Sequence, residues 1–346
     1  MLLAIPSLTT RRQGGTRIFS RSLTIDHTQV PSTQTNFPVL VNFTNSAFAT
    51  IANGGHVSNA NGYDIRFFSD AALTTLLKWE MERYNASTGE VVAWVKIASV
   101  SSASDTIFYM QYGDRTITTD QSDPVNVWTN SFVGIYHLKD GTTLSIADST
   151  GVNTSVNHGA TAAAGHIDGG CNVASASSQY IDIGSNNVLQ PAAITYSAWV
   201  NATSFPNTYN TIVGYNFTNT AFALFFVKSN GKLAPQTNPS GYDGTGTNTL
   251  SAGTDYYLVM TYSSTDGLRG YVNGSQDGTA AAGAALTTGS NIESDIGRDR
   301  VNTTRLWNGV IDEVRISNVV RTADWITCEF NNQKSSSTFV TLGAET

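Results

Sequence analysis

Two carboxylate pairs in this chain have spacings that could serve acid–base chemistry. Glu80 and Glu82 stand at i and i+2 within Leu77–Tyr84, so on a strand they share a face about 6.5–7 Å apart. A retaining glycosidase needs two carboxyls about 5–5.5 Å apart on one wall of a cleft. Asp312 and Glu313 are adjacent in the run Val310–Ile316, and strand alternation sends neighbours to opposite faces. Solvated or structural carboxylates are the better reading of both pairs. Nothing resembles a Gly-x-Ser-x-Gly elbow, a Walker A loop or a dinucleotide fingerprint. His27, His56, His137, His158 and His166 form no His-x-x-x-His pair, and Cys171 and Cys328 alone cannot make a four-thiolate zinc site. The expectation is a chain that is not an enzyme.

Sugar recognition is the other chemistry on offer. It pairs an aromatic platform with amide and carboxylate hydrogen-bonding groups, because C–H faces stack and hydroxyls need partners. Phe205–Asn210, Tyr215–Phe217 and Asn238–Asp243 supply both kinds of group on predicted loops. Tyr209, Tyr215 and Tyr242 are the candidate ligand-binding residues. Most other aromatics are expected to fill cores, Trp94 and Trp199 among them.

The elements that must position these residues read as strands. Of 346 residues only 13% are charged, against about 25% in an ordinary soluble protein. Thr, Ser, Gly and Asn fill the deficit, which favours short strands joined by many turns. Candidates include Arg17–Ile25, Pro38–Phe43, Tyr63–Phe68, Leu77–Tyr84, Glu90–Ile97 and Thr106–Tyr112, then Phe132–Leu138, Tyr180–Ile183, Thr195–Val200, Phe222–Val227, Tyr256–Tyr262 and Val310–Ile316. Asn273-Gly274 predicts a type I′ hairpin turn, since both central residues need positive φ. Ala47–Ala52 could be a short helix, and Thr322 could cap another over Ala323–Asn332. With Asp+Glu 26 against Lys+Arg 19 and a net charge of −7, the chain lacks the cationic footprint of a nucleic-acid binder. No run approaches 18 apolar residues, so no membrane insertion is expected.

Residues 131–320 resemble laminin-G-like, concanavalin-A-like jelly rolls. The resemblance is carried by Tyr180-Ile181-Asp182-Ile183, Ser197-Ala198-Trp199-Val200, Val259-Met260-Thr261-Tyr262, Tyr271-Val272-Asn273-Gly274 and Gly309–Ile316. Residues 16–130 are similar to a small β-sandwich of unknown function (DUF2341-like) that precedes such domains in prokaryotic and phage proteins. Its carriers are Asn36–Val41, Asp64–Phe67, Glu80–Glu82, Trp94–Lys96 and Tyr109–Gly113. The implied fold is all-β: two tandem β-sandwiches, the second a jelly roll, with one short C-terminal helix. Residues 1–15 read as an N-terminal arm, and 321–346 as a helix and strand packing back on the first domain. The loop Asp148–Asn153 resembles a calcium loop of these jelly rolls. The resemblance implies a structural Ca²⁺ held by Asp148, Asn153 and Asp312, since Ca²⁺ takes six to eight oxygens.

The opening Met1–Pro6 has too short an apolar run for a signal peptide. Together with a binding fold and a polar surface, this favours a phage virion component: a tail, fibre or capsid-decorating protein. Its expected partners are a cell-surface glycan or neighbouring virion subunits, in a homo-oligomer or larger assembly. A secreted carbohydrate-binding module at an extracellular or cell-surface location is the alternative, and a glycoside hydrolase ranks third.

Overall fold

The computed structural model describes residues 17–139, 143–217, 221–238, 246–286 and 293–346. The predicted arm lies outside them. The architecture is all-β: two sandwiches, the second a jelly roll, with a short helix near the C-terminus.

In the first sandwich one sheet runs in the order Val340–Leu342, Phe19–Ile25, Thr106–Tyr112, Arg66–Phe68. The facing sheet is Gln34–Thr44, Glu90–Val100, Lys78–Asn85. Phe37, Val39, Val41, Trp79, Val95, Phe108 and Met110 are buried in its core. In the strand Glu90–Val100 the run Val91–Val95 is buried without alternation. That is the mark of a sheet covered on both faces.

The jelly roll stacks two larger sheets. One runs Ser275–Ala281, Gly267–Val272, Asp255–Ser263, Ile194–Ala202, Gly309–Ser317, Gly169–Val173, Thr161–Ala164, and Phe132–Tyr136 also pairs with Gly309–Ser317. The other runs Gln236–Thr237, Ala221–Lys228, Tyr209–Phe217, Ser294–Ile296, Tyr180–Asp182, Val156–His158. The hairpin turn falls on Asn273 and Gly274, with φ of 50° and 81°.

The helix Ala323–Lys334 starts where Thr322 accepts the Trp325 amide and wedges between the two sandwiches. Trp325 meets Phe37 edge-on at 4.9 Å. Asn332 brackets the backbone of Leu40, its Oδ1 accepting the amide at 2.7 Å and its Nδ2 donating to the carbonyl at 3.2 Å. Ile326 and Phe330 pack on Trp199 and Tyr257. Val340–Leu342 then pairs with Phe19–Ile25 of the first sandwich.

Two local expectations change, and one turn of helix is added at Pro124–Val127. Ala47–Ala52 is not one helix but parts of two 3-10 turns, Ser46–Phe48 and Ile51–Asn53. Trp94 and Trp199 are buried, but not inside the sandwich cores. Trp94 faces the second sandwich, stacked on His137, and Trp199 lies between the jelly roll and the helix. No helix among the described residues is long and apolar enough to cross a membrane.

Candidate functional site

The aromatic candidates do not form one platform. Tyr215 is fully buried in the jelly-roll core, because its strand buries almost every position; it cannot stack on a sugar. Tyr242 lies outside the described residues. Tyr209 alone lies at a surface, half-buried at the start of Tyr209–Phe217. It lines an open groove of about 450 Å³ with Pro206, Asn207, Thr208, Asn302, Thr304 and Arg305.

The walls of this groove are braced from behind. Asp299 accepts the amides of Val301 and Asn302, the Asn302 side chain, and Arg305 Nη1 at 3.2 Å. The Thr211 hydroxyl holds the Arg305 carbonyl at 2.6 Å. Asn207 donates to the Leu306 carbonyl at 2.8 Å. The Arg305 guanidinium rests 4.8 Å from the centre of the Tyr209 ring, and that cation–π contact orients both side chains. A guanidinium, a phenol and several amides therefore converge on one wet surface. Such a set suits a hydroxyl-rich ligand.

The calcium candidates are placed differently from the expectation. The Asp148 oxygens accept the amides of Ile135, Thr150 and Asn153, the Thr150 hydroxyl at 2.6 Å and the Asn153 side chain at 2.7 Å. Its lone pairs face N–H and O–H donors, an arrangement that closes a turn, while Asn153 Oδ1 and Asp312 Oδ1 are buried without a hydrogen-bond partner. Asp312 is held elsewhere, by the amides of His166 and Ile167, both at 2.8 Å. Burial, then the neighbouring Glu313, push its carboxyl pKa well above the ordinary value.

The structure instead gathers acidic groups between the two sandwiches. Glu80 and Glu82 of Lys78–Asn85 meet His137, Glu313 and Arg315 of the jelly roll, all nearly sealed from solvent. His137 Nδ1 lies 2.6 Å from Glu313 and Nε2 lies 3.1 Å from Glu80, the pattern of an imidazolium held from both sides. Burial disfavours its charge, but Glu313, Glu80 and Glu82 outweigh that and hold its pKa well above the usual histidine value. For Glu80, burial is overcome by His137 and by hydrogen bonds from His137, Ser149 and Trp128, which bring it down to about 2. Burial pushes Glu82 up to about 8, with Glu313 and Asp168 adding repulsion against the pull of His137. Arg315 donates to Glu313 at 2.8 Å and to Glu329 of the helix at 3.1 Å, and lies over both Trp94 and Trp128.

Irregularities in two strands deliver these carboxylates. The register slips between Met81 and Arg83, leaving Glu82 as the extra residue. A second slip opposite Ser197–Trp199 leaves two residues, Glu313 and Val314, facing one, and Glu313 takes φ of 52°. Ile311, Val314 and Ile316 enter the core while Glu313 and Arg315 face the first sandwich. Simple alternation hid this.

Residues 175–327 match the family model described as the concanavalin A-like lectin/glucanases superfamily, and residues 61–149 match a domain of unknown function, DUF2341. The second sandwich is thus a laminin-G-like, concanavalin-A-like domain. The sandwich preceding it is of the DUF2341 type. No curated protein matches the chain by sequence. Among solved structures, domain 4 of an extracellular GH43 arabinanase from Geobacillus stearothermophilus, in complex with arabinotriose, is 18% identical; the match covers 58% of this chain and 98% of that one at a TM-score of 0.47. Trypanosoma rangeli sialidase is 13% identical over 72% of this chain and 41% of its own length, at 0.46. A heptameric SAP-like pentraxin from Limulus polyphemus is 18% identical over 40% of this chain and 69% of its own, at 0.34.

Proposed function

We propose that the chain is a non-enzymatic adhesive or structural protein of a surface assembly, a virion component, whose jelly roll takes a glycan in the Tyr209–Arg305 groove. The observation that carries this reading is the braced, solvent-open meeting of Tyr209, Arg305, Asn207 and Asn302. The superfamily description, which joins lectins with glucanases, is consistent with it. Against hydrolysis, the carboxylates gathered around His137, Glu80, Glu82 and Glu313, are buried where neither water nor a saccharide reaches them.

The test is binding of the purified chain to a broad glycan and polysaccharide array, in calcium and again in EDTA. Saturable binding to a defined sugar is expected under both conditions. Tyr209→Ala is expected to weaken it about tenfold, the loss of one aromatic contact of about 1.4 kcal/mol. No binding to any glycan, or binding indifferent to Tyr209→Ala, overturns the assignment of this groove.

A further inference from the structure

The buried junction between the sandwiches contains more carboxylate than its hydrogen bonds use. Glu82, His137 and Glu313 each offer a ligand atom, and these atoms lie within 4.8 Å of one another. We propose that these three side chains form a site for one divalent transition-metal ion of the zinc type, clamped between the two domains.

One imidazole nitrogen with two carboxylate oxygens is a ligand set that zinc and similar ions accept. An ion bonded at about 2.0–2.2 Å to each would hold tetrahedral ligands about 3.4 Å apart. His137 Nδ1 and Glu82 Oε2 already stand 3.6 Å apart. His137 Nδ1 and Glu313 Oε1 are at 2.6 Å, a proton-bridged contact that must open by roughly 0.8 Å to reach that spacing.

Outer partners fix each ligand. An ion would have to displace the Nδ1 proton of the His137 imidazolium; Glu80, 3.1 Å from the opposite ring nitrogen, would then hold the remaining proton on Nε2. The Trp94 indole donates to Glu82 Oε2 at 2.7 Å. Arg315 occupies only the far oxygen of Glu313, Oε2.

An independent observation concerns Glu82, whose side chain is sealed from solvent. Its Oε1 is buried with no hydrogen-bond partner. A buried acceptor left unmade costs about 1–3 kcal/mol; an ion bound through both oxygens of Glu82 would satisfy it and reach four ligand atoms in a junction closed to water. The two register slips that aim Glu82 and Glu313 at His137 lie one on each domain, and bulges of this kind commonly re-aim side chains at sites.

Because the junction is closed, the ion must enter as the chain folds. The full chain is therefore unfolded and refolded with Zn²⁺, or with Co²⁺ as a spectroscopic probe, then gel-filtered and analysed for metal. One retained equivalent, a visible d–d band of tetrahedral Co²⁺, and a melting temperature above that of chain refolded in chelator are expected. Glu82→Gln, checked for folding by circular dichroism, is expected to lose the ion. His27→Gln serves as control, since Asp26, His27 and Asp105 form a second, more exposed cluster of metal-ligating groups; it should retain the ion. Wild type holding no metal after refolding, or metal lost in His27→Gln and kept in Glu82→Gln, overturns the proposal. Should Glu82→Gln fail to fold, the wild-type stoichiometry and Co²⁺ spectrum decide alone.

Discussion

Arg315 is only 1% exposed, yet it carries a full charge between two indole rings. Its pKa is held above the ordinary guanidinium value: burial works against the charge, and Glu313 and Glu329 more than compensate. The guanidinium donates to both carboxylates, so removing it takes the counter-ion from Glu329 and leaves Glu313 with His137 alone. Breaking a buried pair from one side typically costs about 3–5 kcal/mol, far more than the pair contributes relative to an apolar replacement. Arg315→Met, which keeps the stem volume, is therefore expected to lose about 3–5 kcal/mol in urea unfolding. Adding Glu313→Gln and Glu329→Gln to the same chain should recover part of that loss. An Arg315→Met chain as stable as wild type would mean that water or relaxed side chains neutralise the junction. Alternation alone puts Glu313 and Arg315, at i and i+2, on one face, but on the side of Ile311. The register slip, with positive φ at Glu313, turns both away from the core toward the first sandwich, and nothing in the sequence marks that slip.

The helix Ala323–Lys334 shows what was legible at the scale of elements. Its N-cap at Thr322 was readable from the residue type, and the hairpin at Asn273-Gly274 from the need for positive φ at both positions. Its span reads two residues short in the sequence, as Ala323–Asn332, and its return to the first sandwich is expected; the side chain that makes the contact was not readable. Among the described residues Gln34–Thr44 is an edge strand, paired only with Glu90–Val100, and open edges invite wrong pairing unless something covers them. Asn332 covers this one at Leu40, satisfying an amide and a carbonyl at once. A polar residue deep in a helix gives no sign that its partner lies 292 positions earlier. Asn332→Ala should strand both Leu40 groups and cost about 1–3 kcal/mol. The specific sign is faster hydrogen exchange at the Leu40 amide than at Val41 on the same strand. Equal protection at both positions would show that the helix covers the edge by packing alone.

Across the whole molecule, the two sandwiches share one interior. Domains in a chain usually meet through small polar contacts and move relative to one another, and multidomain chains commonly unfold in stages. Here the cluster of buried apolar residues that fills the first sandwich runs on through Trp94 and Trp128 to Phe132, Ile135, Ile167 and Trp325 without a break. The C-terminal segment leaves the jelly roll, crosses the junction as the helix and ends as a strand paired with Phe19–Ile25. Neither sandwich can open alone without exposing His137, Glu80, Glu313 and Arg315 unpaired, and each such group costs several kcal/mol. Calorimetry should therefore give a single transition with calorimetric and van't Hoff enthalpies in agreement, although the two sandwiches match different family models. Tryptophan fluorescence, dominated by the junction, should move together with far-ultraviolet circular dichroism, which reports both sandwiches. Trp94→Ala removes the indole that spans Glu82, His137 and Arg315. It should lower the one transition by the roughly 3–5 kcal/mol of a large core truncation, not split it into two. Two resolved transitions in the wild-type chain would show that the junction is a contact between independent domains, and the continuity of the core would then be geometric without being energetic.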